Sequence, residues 1–334
     1  MLRAYGDIRG PQAFNSLIDE PHGLAAAYFA SRLEDPAGGQ VDKRSVLQAA
    51  GRQVLAMQQM ELRETTGGRA VFLACIAGAK HEFLAPLYSK PTSGGIRSRR
   101  EFQSLTGRLV AATSPELTRR TSADQIADVS TLIYELFKNT DEHGAHDAMG
   151  RRYSWDYPSV RGVLFKYISA PHRAQLSQAS SGDARVNLYL GRHFLQSPQF
   201  NESRTGRAQS FLELTVFDTG PGLARRWLGR DGRPVDLATQ SLDAETAAVL
   251  NCFELHASTK PSDGGGIGLD SVVRTLRSLR AFLRLRTGRI ALFQDFSGER
   301  ASFEPNHWMR ERKLLADCAG TCFSLVIPIG TTGT

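Results

Sequence analysis

Apolar residues recur along this chain with two periods, and these periods predict where helices and strands lie. Spacings of three and four predict helices over 22–34, 43–64, 99–113, 244–255 and 272–279. Short apolar or alternating runs predict strands at 70–76, 162–169, 185–190, 211–217, 283–286, 290–293 and 321–329. The two kinds of element are interspersed, which predicts a mixed fold of the α+β class.

The best-defined helix begins after Ser122, which forms the pattern of a capping box with Gln125. An apolar stripe then follows at helical spacing, made of Ile126, Val129, Ile133, Leu136, Phe137 and Thr140. Glu135 and Asn139 lie four positions apart, so they share one face beside that stripe. We expect Gly144 to end the helix in the left-handed conformation.

The bulk composition is that of a globular protein with room for two domains. The chain has 334 residues, of which 41% are hydrophobic and 22% charged. Its longest apolar run, residues 70–79, is about half the length that a bilayer requires. The first ten residues lack the pattern of a signal peptide. We therefore expect a cytoplasmic protein that does not enter the membrane.

The net charge of +7 raises the hypothesis of a nucleic-acid partner. However, 34 of the 41 basic residues are arginines scattered along the whole chain, without a block of like charges. Diffuse arginine enrichment is not typical of a binding face. Nucleic acid stays possible as a partner but is not favoured.

Two groups of side chains have elements of a transition-metal site. Cys318 and Cys322 have three residues between them but lack a second pair or a nearby histidine, so we expect reduced thiols. Asp141, His143, His146 and Asp147 also lie close together in the sequence. Their position at a helix end argues against a metal centre there.

Three short stretches carry the candidate chemistry. Asp218 ends an apolar strand, where a carboxylate needs a hydrogen-bond donor such as an adenine amino group. Gly220 and Gly222 follow and would let the backbone approach a flat ring closely. An ordinary Asp-Thr-Gly turn is the simpler alternative.

The glycine run from Gly264 to Gly268 precedes a helix, where free backbone N–H groups suit phosphates. It is not a dinucleotide motif, because Ser271 stands where the third glycine belongs. Asn139 is a candidate Mg²⁺ ligand and Glu135 a candidate general base. The alternatives are a flexible hinge, a helix-terminal amide and a solvated carboxylate.

Together these stretches resemble the GHKL superfamily of ATP-binding domains, which includes gyrase-type ATPases, large heat-shock chaperones and histidine kinases. Glu135-x₃-Asn139 with His143 resembles the Asn box of that family. Asp218-x-Gly220-x-Gly222 resembles its first glycine box, and the run from Gly264 to Leu269 resembles its second. The likeness covers residues 120–330, including Lys260 before the second box and Thr321 in the last strand.

The resemblance implies a two-layer α/β sandwich of the Bergerat type, with a mixed, mainly antiparallel sheet covered by helices on one face. This domain would span 116–334, with an insertion within 145–210 and an ATP lid at 223–263. Residues 1–115 would form a separate helical or mixed module of unknown function. The implied ligands are ATP and Mg²⁺.

The resemblance also implies a role for each site residue. Asn139 would coordinate Mg²⁺, Asp218 would bind the adenine amino group, and Thr321 would support Asp218. Phosphate contacts would come from the second glycine box and Lys260. The ATP-contacting set is Asn139, His143, Asp218, Gly220, Gly222, Lys260, Gly264, Gly265, Gly266, Gly268, Leu269 and Thr321.

Three outcomes for the bound ATP stay open. The leading expectation is slow hydrolysis with Glu135 as base, in which lid closure controls a protein partner or a homodimer. The second is protein phosphotransfer, either to a partner serine or to His81, whose surroundings resemble a histidine-kinase acceptor motif. Because a strand is predicted before His81 and a loop soon after it, a structural histidine is favoured there. The third is a non-enzymatic, nucleotide-gated interaction module.

Overall fold

The computed structural model describes the chain except residues 5, 67, 69, 91–93, 155–158, 171–183, 196–208, 231, 255–267, 299–301, 310 and 331–334. The elements up to the first long strand are β1 (Leu2–Arg3), α1 (Asn15–Ile18), α2 (Pro21–Phe29), β2 (Leu33–Glu34), β3 (Gln40–Val41), α3 (Lys43–Gln59) and β4 (Val71–Ile76). A hairpin and three helices follow, namely β5 (Tyr88–Lys90), β6 (Gly94–Ile96), α4 (Arg99–Thr113), α5 (Pro115–Arg120) and α6 (Ala123–Asn139). The remaining elements are β7 (Val160–Ala170), α7 (Ala184–Leu195), β8 (Gln209–Asp218), α8 (Leu223–Leu228), α9 (Leu242–Asn251), α10 (Gly268–Ser278), β9 (Phe282–Gly288), β10 (Ile290–Asp295), β11 (Asn306–His307) and β12 (Cys318–Ile329).

Seven strands form one sheet in the order β11-β10-β9-β12-β8-β7-β4, with antiparallel neighbours throughout. Two small sheets, β1-β2-β3 and β5-β6, lie in the first hundred residues. Helices and antiparallel strands therefore occur together, and the α+β class predicted from the sequence is confirmed. None of the helices in the described part of the chain is long and apolar enough to cross a membrane.

Helix α6 is the central helix of the main core. The capping box of Ser122 and Gln125 is formed, as predicted. The apolar stripe of α6 is buried, with Val129, Ile133 and Phe137 at 0% exposure. Helices α4 and α10 both pack against α6. The strands contribute alternate residues to this core, and on β8 these are Leu212, Leu214 and Val216.

Helix α7 covers part of the opposite face of the sheet. Its Tyr189 and Leu190 pack with Phe211, Phe282 and Val326, which alternate with the core-facing residues of their strands. The hydroxyl of Tyr189 donates a 2.8 Å hydrogen bond to the carbonyl oxygen of Arg280. Helices thus lie on both faces of the sheet, whereas the sequence analysis predicts one covered face.

The strand predicted at 185–190 is wrong, because this segment is part of helix α7. The apolar positions Val186, Tyr189 and Leu190 have helical spacing that continues to His193, which is buried with them. Six residues are too few to distinguish a strand period from a helix period.

The first 115 residues contribute directly to the main sheet. Strand β4 pairs with β7 along its whole length, from Val71 opposite Phe165 to Ile76 opposite Val160. Helix α4, which the sequence predicts at 99–113, is confirmed with those bounds. Helix α3 ends at Gln59, earlier than predicted, and Met60 follows in the left-handed conformation with φ 62°. The division of the chain near residue 115 stays a prediction.

Candidate functional site

Asp218 occupies the last position of β8, between β7 and β12. Thr321 on β12 and Arg161 on β7 lie directly opposite it. The backbone N–H of Gly220 donates a 2.8 Å hydrogen bond to Oδ1 of Asp218. Burial raises the pKa of Asp218 to about 7, and the backbone N–H groups of Gly220 and Thr321 and the nearby Arg161 charge oppose that rise only in part. The carboxyl group is thus desolvated, while the residue as a whole keeps part of its surface accessible.

Gly144 and Gly220 pack against Asp218 so closely that neither has room for a side chain. A Cβ atom on Gly144 would lie 2.4 Å from Cγ of Asp218, and one on Gly220 would lie 2.6 Å from Cα of Gly144. The left-handed conformation predicted for Gly144 is wrong, because its φ is not positive. The helix instead continues through a π-helical turn, Thr140–Gly144. Glycine is required at 144 by contact with Asp218 and not by backbone strain.

Gly222 and Thr321 connect this cluster to the neighbouring strands. Gly222 has a φ of 84° and precedes Leu223, whose N–H donates a 3.0 Å hydrogen bond to Oγ1 of Thr287. The hydroxyl oxygens of Thr287 and Thr321 are 3.3 Å apart. These contacts connect the turn after β8 to strands β9 and β12. The first glycine-rich stretch and Thr321 therefore belong to one hydrogen-bonded group around Asp218.

A second cluster lies on α6 itself, before the π-helical turn. Glu135 is 3% exposed and forms an ion pair with Arg99, while Asn139 is partly exposed. Gly268 begins helix α10 beside both of them. A Cβ atom on Gly268 would lie 3.0 Å from Oε2 of Glu135 and 3.8 Å from Oδ1 of Asn139. The structure thus brings the last glycine of the second glycine-rich stretch to the Glu-Asn face of α6.

Other predicted residues lie near these clusters or outside the described part of the chain. Leu269 is buried in the main core. Nδ1 of His143 lies 3.2 Å from an η nitrogen of Arg226, which comes from helix α8. The predicted contacts Lys260, Gly264, Gly265 and Gly266 lie outside the described residues.

Sequence reasoning missed a buried polar network beside Asp218. Arg161 is fully buried, and its Nε donates a 3.0 Å hydrogen bond to the hydroxyl of Tyr88. That hydroxyl donates a 2.6 Å hydrogen bond to Oδ1 of Asp141, just beyond the end of α6. Glu82 accepts a 3.3 Å hydrogen bond from the same guanidinium. An arginine in the apolar run of β7 was the available signal, because a buried arginine needs anionic partners.

The segment predicted as a lid contains well-packed structure in its described part. Helices α8 and α9 pack on each other, and α8 also contacts β9. Glu245 of α9 is fully buried and accepts hydrogen bonds from the backbone N–H (2.7 Å) and Nε (2.9 Å) of Arg289. This ion pair fixes α9 to the β9–β10 hairpin.

The geometry around Asp141, His143, His146 and Asp147, which follow α6, is not that of a metal site. Asp141 is engaged by Tyr88 and Arg161. Burial, together with the charges of Arg152 and Arg226, lowers the pKa of His146. Within the described ranges, no three His, Cys, Asp or Glu side chains are grouped in a way that could hold a metal ion. The four cysteines are free thiols.

No protein-family model, no curated protein and no solved structure matches this chain. Its function must therefore be argued from the two clusters, one around Asp218 and one around Glu135 and Asn139. Both clusters lie along α6 and the π-helical turn that continues it, with Asn139 at the end of α6 and Gly144 at the end of the turn. A ligand would match these two clusters if it had a ring that donates a hydrogen bond at one end and anionic groups at the other.

Proposed function

We propose that this protein binds ATP with Mg²⁺ in a site of the GHKL type. The observation that carries the proposal is the convergence of three distant stretches on helix α6: Gly144 lies against Asp218, and Gly268 lies beside Glu135 and Asn139. The same order of stretches is what the resemblance implies. The antiparallel sheet with α6 on one face supports a Bergerat-type fold, which we include in the proposal, with α7 as an addition on the opposite face.

The adenine would lie against Asp218, whose carboxylate would accept a hydrogen bond from the amino group. Gly144 and Gly220 let the chain pack tightly around Asp218, because the Cβ position of each is taken by Asp218 and the neighbouring backbone. The buried Thr321 hydroxyl, 3.3 Å from that of Thr287, would support the aspartate. Gly222 fixes the turn below them. His143, Leu269 and the glycine-run residues with Lys260 would complete the pocket.

The phosphates would lie near the N-terminus of α10, where backbone N–H groups and the helix dipole favour anions. Asn139 has an amide oxygen on the side of α6 that faces Gly268. One such oxygen fits Mg²⁺, which prefers few protein ligands together with phosphate oxygens and water. The ion would supply charge neutralisation at the phosphates.

We favour hydrolysis with Glu135 as the general base, coupled to movement of part of the 223–263 segment and to a protein partner or a second copy of the chain. The position of His81 supports this choice over histidine phosphorylation, since His81 lies in a turn after β4 and not on a long helix. The β9–β10 hairpin holds α9 through Glu245.

Incubation with γ-labelled ATP and Mg²⁺ tests the proposal. We expect the wild type to bind ATP and release phosphate slowly, Glu135→Ala to bind but not release, and Asn139→Ala and Asp218→Ala to lose binding. Asp243→Ala is a matched control, because this exposed carboxylate lies on α9 outside both clusters. Acid-labile label on the protein that disappears in His81→Ala would instead identify a histidine kinase.

Nucleotide binding without label transfer or phosphate release would favour the non-enzymatic module. Absence of nucleotide binding by the wild type would refute the proposal altogether. A binding measurement by calorimetry, with ATP, ADP and GTP compared, separates these outcomes from a merely slow reaction.

A further inference from the structure

Glu135 lies in a place where a carboxylate without a partner would be costly. Its side chain is 4% exposed, and it lies on α6 among the apolar residues of the main core. Removing an ionised carboxylate from water is unfavourable unless a cation or several donors compensate. A general base must be ionised to accept a proton, so the cation beside Glu135 matters for any reaction there.

Arg99 supplies that cation from a different helix. It is the first residue of α4, and its guanidinium donates to Oε1 of Glu135. The guanidinium also lies over the ring of Tyr134, with its Cζ 4.9 Å from the ring centroid. The aromatic face and the carboxylate together hold the guanidinium in one place.

Apolar packing also holds α4 against α6. Phe102 of α4 is fully buried, and its ring lies 5.4 Å from that of Tyr134 and 6.2 Å from that of Phe137. The side chain of Arg99 is 59% exposed, which leaves its far side open to the surroundings. Packing energy therefore comes from Phe102 and its neighbours, while Arg99 contributes charge at Glu135.

The other oxygen of Glu135 points toward the start of α10. Arg99 contacts Oε1, and it is Oε2 that would lie 3.0 Å from a Cβ atom on Gly268. The two carboxylate oxygens of Glu135 thus have different surroundings: one binds Arg99 and the other faces the proposed phosphate position.

We infer that Arg99 is a positioning residue for the reaction: through its ion pair with Oε1 it holds the Glu135 carboxylate so that Oε2 is directed toward a water molecule at the terminal phosphate. This inference rests on the proposed function, because it assigns the phosphate end of the site to Gly268. It adds a residue that belongs to neither the Asn box nor the glycine-rich stretches.

The first test needs no nucleotide. In protein labelled with ¹³C at the glutamate carboxyl carbons, the Glu135 signal is assigned by its loss in Glu135→Gln and compared between variants at one pH. We expect this signal to shift in Arg99→Met, because the guanidinium that holds Oε1 is gone. Arg99→Lys, which keeps a charge, and Arg100→Met, which changes the exposed neighbour, should stay near the wild type. An unchanged Glu135 signal in Arg99→Met would overturn the inference.

The second test measures single-turnover phosphate release from γ-labelled ATP with Mg²⁺ between pH 5 and 9. We expect Arg99→Met to lower the rate by about 10- to 100-fold, which does not exceed the lower end of the roughly 10²–10⁴-fold that a general base contributes. The Kd for ATP should change less than about threefold, because the substitution alters the position of the base and not the ATP contacts. Arg99→Lys should recover part of the rate.

The outcomes separate the inference from the proposed function. A wild-type rate and profile in Arg99→Met, or an equal loss in Arg100→Met, would show that Arg99 does not position the base. A wild type that binds no ATP would refute the proposed function, and the ¹³C signal of Glu135 would then show whether Arg99 holds this carboxylate in place.

Discussion

Gly144 and Asp218 are so close that a methyl group on the glycine would lie 2.4 Å from Cγ of the aspartate. The glycine ends the π-helical turn after α6, and the aspartate ends β8. Their contact joins the central helix to the central strands at the point where the sheet presents a desolvated carboxyl group. The absence of a side chain at 144 thereby defines the space around Asp218.

We expect Gly144→Ala to disrupt this contact and to weaken ATP binding by at least about tenfold, with a stability loss of about 1–3 kcal/mol from overpacking. The added methyl group would displace Asp218 or the turn that carries Gly220. Nucleotide titration and chemical denaturation measure the two effects. Gly107→Ala in helix α4 is the control, since nothing lies within 4 Å of its Cβ position and alanine favours a helix. Wild-type affinity in Gly144→Ala would contradict the proposed adenine position.

The raised pKa of Asp218 makes stability depend on pH in a defined direction. Its folded-state pKa of about 7 exceeds the ordinary 3.8, so between these values the folded state binds a proton that the unfolded state lacks. Stability from this group is therefore present at low pH and is lost as pH rises from about 4 to about 7. Asp218→Asn cannot ionise and should be more stable than the wild type by about 1–3 kcal/mol at pH 8.

Chemical denaturation at several pH values, without nucleotide, measures this difference. The advantage of Asp218→Asn should shrink steadily as pH falls toward 4. An advantage of equal size at pH 4.5 and pH 8 would show that the carboxyl group does not titrate as stated.

The ion pair between Glu245 and Arg289 should be worth far more to stability than the neighbouring pair between Asp243 and Arg312. Glu245 is fully buried, whereas the side chains of Asp243 and Arg312 are 81% and 60% exposed. Glu245→Ala leaves a buried guanidinium without its anion and should cost about 3–5 kcal/mol. Asp243→Ala, on the same turn of α9, should cost less than about 1 kcal/mol.

Urea denaturation of both variants tests this contrast. A double variant, Glu245→Leu with Arg289→Leu, should recover a large part of the loss, because neither buried charge remains. Equal losses for Glu245→Ala and Asp243→Ala would contradict the burial of the pair.

Burial of His193 should destabilise the protein in acid. Burial, together with the charge of Arg280, lowers the pKa of His193 to about 4, from an ordinary 6.5. The unfolded state binds the proton first, so stability is present above pH 6.5 and is lost as pH falls toward 4. Between pH 7 and pH 5, the free energy of unfolding should fall in the wild type by about 1–2 kcal/mol more than it falls in His193→Leu. Parallel pH curves for the two proteins would contradict this prediction.

Local patterns in the sequence predict most elements because hydrophobic burial imposes a period over many residues. Helix α6 shows this well: its cap at Ser122 and its stripe from Ile126 to Phe137 are both local signals. The failure at 185–190 has the same origin, since a short window containing Val186 and Tyr189 fits a strand as well as a helix. Only the continuation to His193 decides the period.

Contacts between distant residues are not encoded in any such window. Arg99 contacts Glu135 only when the sheet and helices have assembled. The same holds for the contacts of Arg161 with Tyr88 and Asp141. The sequence predicts Gly144 as a helix end. The need for glycine at this position comes instead from its contact with Asp218, which lies on another element. The candidate site was thus predictable as a set of motifs, while the charges that tune it were not.

Strand β4 has a consequence for how this protein tolerates shortening. A chain beginning at residue 116 would retain α6 and the proposed site residues but would lose the partner of β7. The N–H and C=O groups that β7 now uses to bind β4 would be left as an open sheet edge, next to the buried Val163 and Phe165. Such an edge invites pairing with another molecule, so the shortened chain would tend to aggregate instead of yielding an isolated nucleotide-binding domain.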